Sequence, residues 1–145
     1  MTIYDPAATG RLLCIPEAIA REEGWNVTPP SRCRRNANPG NLDYEPWEQL
    51  FGGVLETASP GERARFAVFP DAPSGFGALV HRCGFPDVRG KPLANLIAIW
   101  APPNENNTSS YLENVCQFTG LTPNTIIDAY LIPPTGNQAA TGIAP

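Results

Sequence analysis

Two adjacent carboxylates, Glu22 and Glu23, are followed at once by Gly24 and Trp25. A carboxylic acid with a raised pKa can protonate the leaving oxygen of a glycosidic bond. Burial in a pocket raises that pKa by disfavouring the charged form. The negative end of a helix dipole acts in the same direction, and a ring such as that of Trp25 could supply an apolar wall. Neighbouring residues on a helix point about 100° apart, so at most one of the two faces a given pocket. Taken alone, the pair reads as solvated surface charge. Other chemistries have less material. His81 is the only histidine, and Cys14, Cys33, Cys83 and Cys116 form no CxxC pair. Zinc draws clustered Cys and His at short spacings. No metal site and no cofactor is therefore expected, and a metal-dependent peptidase or amidase is disfavoured. The even cysteine count fits two disulfides or four separate thiols, and both stay open.

Presenting these glutamates at a helix end requires a helix over residues 16–23. Pro16 suits a first helical turn, Ile15, Ala18 and Ile19 recur at helical spacing, and Gly24 is a stop signal. Residues up to about Leu13 read as an irregular lead-in, 26–39 as a loop rich in Asn, Pro and Arg, and 41–44 as the start of a strand. Segments 52–56 and 65–69 alternate weakly about the turn Ser59-Pro60-Gly61, which predicts a small β-hairpin. Helices are expected over 74–82, capped from within Asp71 to Ser74, and over 93–100 between Pro92 and Pro102-Pro103. Another runs to about Thr119, capped by Thr108 or Ser109 and closed by Gly120, with a last short one over 123–129. From Pro133 the chain reads as a flexible tail. The expectation is one α+β domain over 1–132, mainly helical with a small antiparallel sheet, and a tail over 133–145.

The 145 residues suffice for one hydrophobic core, and 42% hydrophobic with 17% charged residues is a globular balance. Seventeen prolines and thirteen glycines predict long, irregular connections. A formal net charge of -4 argues against nucleic acid as the partner, since phosphate binding needs concentrated Lys and Arg. The basic run Arg32, Arg34 and Arg35 is local and reads as a solvated loop. No apolar run approaches the ~20 residues that span a bilayer. The opening residues have neither the basic nor the apolar region of a Sec-type signal. A substrate outside the cytoplasm would thus require delivery by a phage lysis system, a virion or a secretion machine. A monomer is expected.

The stretch Ala18-Ile19-Ala20-Arg21-Glu22-Glu23-Gly24-Trp25 resembles the start of a family of small murein-degrading domains. These occur in phages and in related bacterial proteins, are often described only as phage structural proteins, and belong to the lysozyme-like, lytic transglycosylase-like superfamily. Arg35-Asn36-Ala37-Asn38-Pro39-Gly40-Asn41-Leu42 resembles the family's Arg-Asn-Asn-Asn-Pro-Gly-Asn-Leu loop, departing from it at Ala37. Arg65 to Asp71, Gly75 to Leu79, and Trp100 to Thr108 with Tyr111 follow in the family's order. The likeness spans about Ile15 to Ile127.

The resemblance implies a lysozyme-like fold and cleavage of peptidoglycan glycan strands, a polymer of N-acetylglucosamine and N-acetylmuramic acid, at the bacterial cell wall. The family's Glu-Gly-aromatic string places the acid on Glu23. Related Glu-Ser-Gly-Trp motifs place it on Glu22. Glu105, Thr108 and Tyr111 match a Glu-Thr string followed by a cleft-lining tyrosine. Asparagine amides can donate to and accept from an N-acetyl group, and Gly40 permits close approach of backbone, although turn chemistry alone also explains Asn-Pro-Gly-Asn. Asn38, Asn41, Tyr44, Trp100 and Tyr111 are the expected substrate-binding residues, with Trp25 and Trp47 as further aromatics. Asp43, Glu45 and Glu48 are candidates for a second carboxylate, which a hydrolase requires and a transglycosylase does not. A catalytically silent virion or wall-binding structural protein is the alternative, and chitin is a weaker alternative substrate.

Overall fold

The computed structural model describes residues 13–132. The expected tail over 133–145, and all but the last residue of the expected lead-in, lie outside the described residues. The first described helix, α1, spans Ile15–Glu22 with Glu23 as its C-cap. Its end is a paired capping motif. Gly24 (φ +95°) donates its N–H to Arg21 O, and Trp25 donates to Ala20 O. Only the left-handed backbone at Gly24 allows this reversal without a Cβ penalty, and Trp25 then packs against Ala20 and Cys33.

A single-turn helix, α2 (Arg32–Arg35), lies inside the segment expected to be loop. A 3-10 helix over Pro46–Phe51 was not anticipated; Glu45 and Glu48 cap it reciprocally, side chain to backbone. The hairpin is present but short. Strands β1 (Val54–Leu55) and β2 (Ala67–Val68) pair antiparallel, Val54 opposite Val68 and Leu55 opposite Ala67. Residues 41–44 contribute only an isolated bridge, Asp43 to Phe66, rather than a strand. Helices α3 (Ala72–Arg82) and α4 (Leu93–Trp100) fall where expected, the former capped by the Asp71 carboxylate on Ser74 N–H. Helix α5 (Thr108–Thr119) is capped by Asn107, not by Thr108 or Ser109, because the Asn107 side chain reaches Ser110 N–H. The last helical turn is a 3-10 helix over Ile127–Tyr130. The described chain is therefore mainly helical with one small antiparallel sheet. None of its helices is long and apolar enough to cross a membrane.

Ile15, Ala18 and Ile19 of α1, Leu79 of α3, Leu93, Leu96 and Ile97 of α4, and Val115 of α5 form the main core, all fully buried. Each large aliphatic side chain among them contributes roughly 2 kcal/mol by removal from water. A second cluster, Leu42, Ala67, Phe69 and Ala78, joins the hairpin to α3. The four cysteines are not disulfide-bonded.

The segment 36–42 is held between these two clusters. Asn38 is 0% exposed. Its Nδ2 donates to Leu42 O (3.0 Å) and Ala67 O (2.9 Å), and its Oδ1 accepts from Leu42 N–H (2.9 Å). Helix α3 approaches so closely that a Cβ on Gly75 would stand 1.9 Å from Ala37 O, and one on Gly40 would stand 2.9 Å from both Leu79 and Trp100. Gly-to-Ala in a helix interior ordinarily stabilises by up to about 1 kcal/mol. Gly75→Ala is expected to do the reverse and cost roughly 2–4 kcal/mol, read as a lowered denaturant midpoint; a raised midpoint would contradict the packing described.

Candidate active site

Glu23 stands at the junction of α1 and the capping turn, and its carboxyl group meets two donors from distant parts of the chain. Tyr111 of α5 donates its hydroxyl to Oε2 at 2.7 Å. Asn41 donates Nδ2 to Oε1 at 3.1 Å. Burial raises the Glu23 pKa above the ordinary carboxylate value; the bonds from Tyr111 and Asn41 pull against it, Glu22 adds to the rise, and Arg65 opposes it. Desolvation outweighs both hydrogen bonds. The result is a carboxyl group biased toward holding its proton, as a general acid requires.

Glu23 lines a cleft of about 600 Å³ with Asn41, Asp43, Glu45, Trp47, Arg65, Trp100 and Glu105 among its walls. Glu22 does not line it. Its carboxylate turns the other way and accepts from Asn114 Nδ2 at 2.9 Å, as the 100° offset between helix neighbours requires. Of the expected binding residues, Asn41 and Trp100 line the cleft. Asn38 does not: its amide is fully buried and spent on backbone groups. Tyr44 is also absent from the cleft wall; its hydroxyl accepts from Gln49 Nε2 (3.0 Å). Tyr111 is 5% exposed and stands behind Glu23 instead of lining the cleft. Trp25 packs edge-on against Phe76 (5.4 Å) away from the cleft, under the Arg34 guanidinium, so it is not the wall expected beside the acid. Trp47 does line the cleft, and Trp100 closes it from α4 while donating Nε1 to Gly40 O (3.1 Å).

The other carboxylates have defined partners. Asp43 pairs with Arg65 at 2.6 Å, and Arg65 reaches Glu105 at 3.5 Å. Glu45 accepts from Trp47 Nε1 at 2.9 Å. Glu48 is fully buried; its Oε1 accepts from Glu45 N–H (2.7 Å) and its Oε2 has no partner among the described residues. Arg65 and Arg82 are cleft residues that the motif reading passed over.

Two buried glutamates respond to pH in opposite directions. Burial, together with the nearby Glu45 and Asp43 charges, pushes Glu48 up to about 7 against the opposing Glu45 N–H bond. Its stability contribution is complete below pH ~4.5 and is lost as pH rises toward 7. Glu56 is also desolvated, but Arg32, the Phe66 and Arg65 N–H groups and Asn36 hold it down to about 2. Its contribution is present above pH ~4.5 and is lost as pH falls toward 2. Glu48→Gln is accordingly expected to remove a decline of roughly 1–3 kcal/mol between pH 4.5 and 7, measured by urea unfolding across that range; an unaltered decline would show that another group causes it.

No protein-family model matches the chain, and no curated protein matches it in sequence.

Proposed function

We propose that this protein cleaves the glycan strands of bacterial peptidoglycan, with Glu23 as the general acid. The observation that carries the reading is the Glu23 carboxyl itself, desolvated, held by two donors and placed on the wall of a cleft of about 600 Å³. A carboxylic acid so placed is suited to protonating a glycosidic oxygen. Trp47 and Trp100 put aromatic side chains on the cleft wall, a residue type that lines ligand sites. A mainly helical chain with a small hairpin, in which an acid ends a helix, is compatible with a lysozyme-like fold. The ordered resemblance of the Asn-Pro-Gly-Asn loop and the segment from Trp100 to Tyr111 supplies the polymer. Glu22 has no comparable place, being turned to Asn114.

Asp43 and Glu45 line the cleft but are engaged by Arg65 and Trp47, and Glu48 is buried. Glu105 is the third cleft carboxylate other than Glu23 and lies 3.5 Å from the same Arg65, so each of the three has a donor partner. That favours a reaction in which Glu23 acts first as acid and then as base, with a hydroxyl of the substrate as nucleophile, over one using a second carboxylate. The site of action is the cell wall, outside the cytoplasm.

Zymography on peptidoglycan tests the proposal. The wild type is expected to clear the gel, Glu23→Gln to lose at least about 100-fold in rate, and Glu22→Gln to stay within a few-fold. Clearing by Glu23→Gln at the wild-type rate would sink the assignment. No clearing by any form, with retained binding to cell walls, would identify a silent wall-binding protein. An anhydro end on the released muramic acid would confirm the single-carboxylate route, and a reducing end would refute it.

A further inference from the structure

Asn41 has an unusual situation for a residue expected to meet a sugar. Its Nδ2 is committed to Glu23 Oε1. Its Oδ1 is buried and, among the described residues, accepts no hydrogen bond. Turning the amide over would aim Oδ1 at an oxygen of the ionised carboxylate and leave both repelling. In the ionised state of Glu23 this selects the donor orientation, which leaves the carbonyl oxygen without a partner among the described residues. The carbonyl end, shut off from water, is shut off from a substrate too.

The backbone fixes where this amide points. Asn41 is left-handed, with φ +49°, a conformation that asparagine tolerates better than most residues. Its N–H closes a turn on Asn38 O at 3.0 Å. Gly40 before it is clamped between Leu79 and Trp100. The direction of the side chain is set by the fold before any ligand arrives.

Both partners of Glu23 are donors, one on each oxygen: Tyr111 O–H on Oε2 and Asn41 Nδ2 on Oε1. Each carboxyl oxygen has two lone-pair directions. With one on each oxygen occupied by a donor, an acidic proton is left with the remaining two. We propose that Asn41 is a positioning residue, which together with Tyr111 fixes the rotation of the Glu23 carboxyl group so that its proton is presented to the cleft. This rests on the reading of Glu23 as the acid; the clamp on the carboxyl does not.

Asn41→Gly is the informative variant, because glycine keeps the left-handed backbone and removes only the amide. Two readouts separate the inference from the function beneath it. In the unliganded protein, the Glu23 carboxyl carbon followed by NMR titration should move to a higher midpoint, since a donor favouring the ionised form is lost. Tyr111→Phe should move it the same way. On peptidoglycan, kcat should fall about tenfold with KM within about twofold, and the alkaline limb of the pH profile should move up with the titration. An unmoved Glu23 titration overturns the proposal, as does a raised KM at unchanged kcat, which would make Asn41 a substrate contact. A moved titration in a chain whose wild type cleaves nothing supports the clamp and overturns the reading of Glu23 as an acid.

Discussion

The buried amide of Asn38 is the interaction on which the site depends. Three short bonds, to Leu42 N–H, Leu42 O and Ala67 O, tie a turn to the start of the hairpin. A buried amide in this position is useful only if all its groups are engaged, because each orphaned partner costs about 1–3 kcal/mol. The geometry of the turn follows from that requirement. Phe69 N–H donates to Asn36 O and Ala67 N–H to Leu42 O, so the hairpin edge and the turn share one hydrogen-bond ladder. Gly75 and Gly40 then allow α3 and α4 to close on the same segment. Asn41, the last residue of the turn, is delivered to Glu23 as a consequence.

The opposite side of the hairpin is secured by charge rather than by packing. Glu56 accepts from both Nε and Nη2 of Arg32, from two backbone N–H groups and from Asn36. The hairpin has only two paired residues on each strand, too few to persist alone. Glu56 attaches it to α2, and the Leu42–Phe69 cluster attaches it to α3. Exposed ion pairs add little to stability. This one is different because the carboxylate is buried and fully hydrogen-bonded, so removing one partner would leave an uncompensated charge.

Much of this frame was legible in local sequence. Pro16 and Gly24 bracket α1, Pro92 and Pro102 bracket α4, and Asp71 caps α3, since each signal acts within a few residues of its effect. Features that depend on distant partners were not legible. Glu23 and Tyr111 are separated by 88 positions, and Arg32 and Glu56 by 24. No periodicity encodes such pairs, so Tyr111 was singled out only through resemblance, and it stands behind the acid rather than in the cleft. Asn38 misled for a related reason. An amide at a turn looks the same in sequence whether it faces a ligand or the backbone. Trp25 misled because the capping turn at Gly24 swings it into the cluster with Ala20 and Cys33.

Placing the acid at the C-cap makes its two properties inseparable. One residue earlier, at Glu22, the side chain leaves the core and meets Asn114. At Glu23 the chain is about to reverse, and the carboxyl enters the space between α1, α5 and the Asn41 turn. Burial there opposes ionisation, while Tyr111 and Asn41 favour it. Without the donors, the group would be a desolvated acid free to rotate and reluctant to give up its proton. Without the burial, the largest cause raising its pKa above the ordinary carboxylate value would be gone. The capping turn together with the Asn38-anchored loop is what brings burial and both donors to the same two oxygens.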